Sequence, residues 1–137
     1  MLDERFALPA DGSARWAGMA NYVLTSPDGR HEVALEYVGE PPHGDSFHKL
    51  QVDGTKLPGF AWGCKFAATA DSRYFAASWM AKRYERLTII IDLEKRRFVV
   101  LPVYVHDFRF DGPVLEGVGA DQGLRFHLSD ADAWTPF

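Results

Sequence analysis

The side chains best suited to chemistry lie close together at one place only. His43, Asp45 and His48 put two imidazoles and a carboxylate into one short stretch. Such groups hold divalent metals, because imidazole nitrogens and carboxylate oxygens are their common ligands. His106 and Asp107 would join them if the fold brings the two stretches together. The competing reading is a polar surface turn. Cys64 stands between Gly63 and Lys65, and a neighbouring ammonium lowers a thiol pKa. A nucleophile also needs a positioned base, and none is near it in sequence. A buried structural thiol is the expectation. No G-x-S-x-G, phosphate-loop, G-x-G-x-x-G or H-E-x-x-H string is present, so no catalytic residue and no cofactor is expected.

Charge and aromatic placement point to recognition. Asp28, Glu32, Glu36, Glu40 and Asp45 make the first hairpin acidic. Glu32 and Glu36 fall on one face of an extended chain. A solvated face is the plain reading. The functional reading is a patch for a basic protein partner, where charge speeds encounter and selects the partner. Residues 82–86 read Lys-Arg-Tyr-Glu-Arg and follow Trp79 closely. Arg, Tyr and Trp are the types enriched at binding hot spots. The expected partner-binding set is therefore Glu32, Glu36, Glu40, Asp45, Trp79, Arg83, Tyr84 and Arg86.

These groups must be positioned by strands. Residues 73–81 are apolar on both faces, the pattern of a strand covered on two sides. Phe75, Ala77 and Trp79 share one face, and Tyr74, Ala76 and Met80 the other. Residues 87–93 continue with Leu87, Ile89 and Ile91 against Thr88, Ile90 and Asp92; β-branched side chains fit a pleated surface. Residues 92–97 read as a polar turn, and 98–101 as a strand that Pro102 ends. Earlier, 22–25 and 31–38 are strands about the turn Ser26-Pro27-Asp28-Gly29. In the second, Val33, Leu35 and Tyr37 face inward. Residues 47–52 form a strand ending in an Asp53-Gly54 hairpin signal. Residues 106–112, 114–117 and 124–128 are further short strands. A short helix over 13–20, weakened by Gly18, and a one-turn helix capped by Ser129 are the helical options.

The chain has 137 residues, 47% hydrophobic and 14% aromatic, with a formal net charge of -4. That length is one domain as a prior. The acidic balance disfavours nucleic acid, which calls for a basic stripe. The single cysteine excludes an internal disulfide and fits a reducing compartment. The N-terminal residues lack a signal-peptide run and no stretch is long enough for a membrane helix, so a soluble cytoplasmic protein is expected.

A weak internal repeat links the two hairpins. Ser26-Pro27-Asp28-Gly29-Arg30 matches Thr69-Ala70-Asp71-Ser72-Arg73, and Val52-Asp53-Gly54-Thr55-Lys56 matches Ile91-Asp92-Leu93-Glu94-Lys95. The period is roughly 40–45 residues. These strings resemble the blades of WD40-like and TolB-like β-propellers over about residues 22–105. The resemblance implies blade-like units. The chain is too short for a closed propeller, so the expected fold is mainly β: an antiparallel meander of hairpins forming a small sandwich or partly closed barrel. The functional expectation is a non-catalytic protein-binding module, of the class of immunity proteins that cover a cognate toxin. The alternatives are a small barrel that binds or processes a small molecule, with or without a metal, and a self-associating unit.

Overall fold

The computed structural model describes residues 4–40, 46–82 and 85–137. Its strands are β1 (Glu4–Ala7), β2 (Arg15–Trp16), β3 (Tyr22–Thr25), β4 (Glu32–Gly39), β5 (Phe47–Val52), β6 (Thr55–Lys56) and β7 (Phe60–Ala68), then β8 (Tyr74–Met80), β9 (Leu87–Asp92), β10 (Arg97–Leu101), β11 (Phe108–Asp111), β12 (Val114–Gly117), β13 (Arg125–His127) and β14 (Thr135–Pro136). The fold is mainly β, as expected. One large sheet runs β1-β3-β4-β5-β7-β8-β9-β10-β14, with β2 beside β7 and β6 beside β5. All its pairs are antiparallel except β1 with β3. A second sheet, β11-β12-β13, is separate. Among the described residues no helix is long and apolar enough to cross a membrane.

Alternation sorts the large sheet into two faces. Leu24, Leu35, Leu50, Phe66, Phe75, Ile89 and Ile91 meet on the inner face in one buried cluster. Phe6 from β1 and Phe98 from β10 pack against that same cluster, although these strands lie at opposite ends of the ladder. The sheet is therefore strongly curled but stays open. Its turns also touch across the curl. Arg30 reaches Glu94 at 3.0 Å, and the Arg96 guanidinium donates to the Thr55 hydroxyl at 2.5 Å. On the outer face, Tyr74, Ala76, Ile90 and Val99 carry the second sheet through Phe108, Phe110 and Leu115. This accounts for β8: its two covered faces bury all seven residues. The outer face of β3–β5 has no such cover among the described residues.

The two matched turns have the same construction. Ser26 N–H donates to His31 O and Thr69 N–H to Tyr74 O, both at 2.9 Å. Asp28 accepts the Ser26 hydroxyl and the Arg30 N–H; Asp71 accepts the Thr69 hydroxyl and the Arg73 N–H. The next residue is left-handed in each, Gly29 at φ 78° and Ser72 at φ 63°. Such a carboxylate accepting local N–H and O–H groups mimics a backbone turn. The Ser72 hydroxyl accepts the Asp28 N–H at 3.0 Å, so the turns also touch each other. At Asp53-Gly54 both residues have positive φ, as a two-residue hairpin requires.

Three expectations change. Residues 13–20 form no helix: Arg15 and Trp16 pair with β7, and the following backbone is claimed by tertiary partners. Ser129 does cap a turn, taking the Ala131 N–H on its hydroxyl. The chain then extends into β14 and no helical turn follows. Asp92, read both within the strand 87–93 and as the start of the polar turn, closes β9 and is fully buried, with Arg73 and Arg97 reaching it at 3.2 and 3.0 Å.

Candidate recognition surface

Three of the expected acids, Asp28, Glu32 and Glu36, are exposed but already paired. On the outer face of β4, Glu32 accepts from Arg5 at 2.7 Å and Glu36 lies 3.8 Å from Lys49. Asp28 is bonded to Arg30. The Arg30 backbone N–H and guanidinium hold its carboxyl well below the ordinary carboxylate range. The face is of mixed charge, not a bare acidic patch. A groove of about 640 Å³ crosses it, lined among others by Asn21, Ala34, Glu36, Lys49, Gln51 and Phe60. Glu40 is exposed at the end of β4. Trp79 is in the core, with its indole N–H donating to Pro58 O at 3.0 Å. Its place is interior and not on a contact face. Arg86 is exposed and lies over the rings of Trp62 and Tyr104, at 5.7 and 5.5 Å. Asp45, His43, Arg83 and Tyr84 lie outside the described residues.

His48 is turned inward and is fully buried. Its Nε2–H donates to Ala20 O at 2.9 Å, and its ring packs edge-on against Tyr22 and Tyr37. Burial pushes its pKa down. Among the described residues no three His, Cys, Asp or Glu side chains converge as a metal site does. His106 sits beside Tyr104, Nδ1 to hydroxyl at 2.9 Å. Cys64 is half-buried, 3.9 Å from the Ser46 hydroxyl.

Cys64 belongs to a large irregularity in β7. Ala61 pairs with Trp79 and Phe66 with Ala77, so residues 62–65 stand against Ser78 alone. Gly63 takes φ 113° there and donates to Ser46 O. Bulges of this kind re-aim the strand and its side chains. Beyond it the edge of β7 that β5 occupied is taken over by β2.

The strap from β2 to β3 is what the sequence reading missed. Its backbone is tied down at four points. Ala17 N–H donates to Cys64 O, Gly18 N–H to the Tyr22 hydroxyl, and Gly18 O accepts from Ser46. Ala20 O takes the His48 bond. Ala17 and Gly18 are buried. Trp16 and Met19 point the other way, each 61% exposed. A Cβ on Gly18 would lie 2.3 Å from the Trp16 ring, so the indole rests on that glycine. The local signal is the alternation of large and small residues in Trp16-Ala17-Gly18-Met19-Ala20. Comparison of the chain with protein-family models, curated proteins and solved structures finds no match.

Proposed function

We propose that this chain is a non-catalytic protein-recognition module that works by covering part of a partner, as immunity-type inhibitors do. The observation that carries this reading is the strap. Two large apolar side chains stand in water on a backbone that four hydrogen bonds already hold. Holding an anchor in place before contact reduces the entropy lost on binding. Tryptophan is the residue type most enriched among such anchors. Among the described residues no other large aromatic is as exposed, and Phe66, Phe75, Phe108 and Phe110 are core. Lys65 stands opposite Trp16 across the β2–β7 pair, while Arg15 turns to the other face and lies over the Phe6 ring at 4.1 Å. The open outer face of β3–β5, with its mixed charges, is the second area a partner would meet.

The test uses the full chain as bait in an extract of its native cells, with the captured protein identified and purified. Binding is then measured for wild type, Trp16→Ala with Met19→Ser, and Glu32→Lys with Glu36→Lys. The expected result is a stoichiometric complex that the strap variant loses while its circular-dichroism melt stays unchanged. A complex indifferent to both double variants, or none at all, refutes the reading.

A further inference from the structure

Where the β7–β8 turn, the β9–β10 hairpin and the turn after β13 meet, three cations converge on one exposed carboxylate. Asp130 Oδ1 lies 3.5 Å from Arg73, 3.1 Å from Lys95 and 2.5 Å from Arg97. Beneath it, buried Asp92 holds both guanidiniums, at 3.2 and 3.0 Å. The arginines are therefore fixed whether Asp130 is present or not. Asp130 itself is 68% exposed and sits in a turn, so rotation of one side chain frees the site. Arg73 also keeps a buried Nε–H without an acceptor among the described residues. A cleft of about 480 Å³ opens alongside, with Arg73, Tyr74, Pro113 and Leu128 among its walls. Two other acids are near, and both are turned onto their own loops. Asp71 holds the Thr69 hydroxyl and Arg73 N–H, and Asp132 holds the Ser129 N–H.

We propose that Arg73, Lys95 and Arg97 form a binding site for the phosphate group of a small phosphomonoester, and that Asp130 occupies it as an internal stand-in when no ligand is bound. One terminal NH₂ from each of two guanidiniums and an ammonium around one point suit a compact dianion with several acceptor oxygens. With Asp130 swung away, three positive groups face Asp92 alone. Pro113 and Leu128 give the apolar wall for the ligand's organic part. This site is independent of the strap.

The probe is inorganic phosphate added to the full-length protein, with chloride at matched ionic strength as the control. The readout is the NMR signal of the Trp134 indole N–H, which donates to Ser129 O and whose ring lies 4.6 Å from the Arg97 guanidinium. Saturable shifts with phosphate alone are expected. Asp130→Asn removes the competitor and should tighten binding about tenfold, and Lys95→Gln should weaken it. Equal shifts with chloride, or no saturation in wild type and Asp130→Asn alike, overturn the proposal. If Asp130→Asn does not fold, the wild-type and Lys95→Gln titrations decide it alone: phosphate must saturate the first and bind the second more weakly.

Discussion

Replacing Asp92 with asparagine tests what joins the β9–β10 hairpin to the β7–β8 turn. The carboxylate accepts the Lys95 N–H at 3.1 Å as well as both arginines. Asparagine keeps the shape but has one acceptor oxygen, and it aims an NH₂ at a guanidinium. Stranding the partner of a fully buried ion pair costs about 3–5 kcal/mol. Here 27% of the Arg73 side-chain surface and 17% of that of Arg97 remain exposed, and Asp130 remains as a second carboxylate. The expected loss is therefore smaller, about 2–4 kcal/mol. For a chain of this size that lowers the melting temperature by roughly 6–15 °C. Burial alone would raise the Asp92 pKa; the Lys95 N–H and the two guanidiniums outweigh it and hold the carboxyl below its ordinary value. A group depressed in the folded state stabilises above its unfolded pKa, about 3.9, and loses that contribution as pH falls through the folded value. Urea unfolding at a series of pH values should show the full gap between wild type and Asp92→Asn near neutrality. The gap should shrink on acidification below the ordinary aspartate range. Equal stability at neutral pH, or a gap that persists unchanged into acid, would refute this account.

Trp79→Ala should cost about 3–5 kcal/mol, read from chemical unfolding followed by circular dichroism. A wild-type melt would place the indole outside the core. Gly12→Ala puts a Cβ 2.2 Å from Phe110 O at a residue with φ 82°. It should lose about 1–3 kcal/mol, and amide exchange should show the Phe110 N–H bond to Gly12 O loosened. An unchanged exchange rate there would count against that contact.

Local signals carried the middle of the fold. The alternation in 31–38, the double-sided apolar run in 73–81 and the Asp53-Gly54 turn each act over a few residues. Each appears as β4, β8 and a two-residue hairpin. What was not legible depends on distant partners. β1 and β2 exist because β3 and β7 offer edges to them, and neither has a periodic pattern of its own. Asp92 looked like part of a polar turn because its burial depends on Arg73 and Arg97 arriving from another hairpin and the next strand. For the recognition surface, Glu32 and Glu36 were expected to face water together, and both are exposed on β4. Their pairing with Arg5 and Lys49 comes from neighbouring strands, which the face alternation of β4 does not specify. Trp16 drew no separate reading because residues 13–20 were expected as a short helix. Only the burial of Ala17 and Gly18 beside it turns the ring outward.

The extra residues in β7 imply an order of assembly. Arg15 can be seated only once Phe66 lies in a formed strand, a closure across roughly fifty residues of chain. β2 therefore docks only after the strand that receives it has formed. Until β2 docks, nothing fixes the direction of Trp16 and Met19. The outward display of Trp16 and Met19 therefore depends on a completed β7.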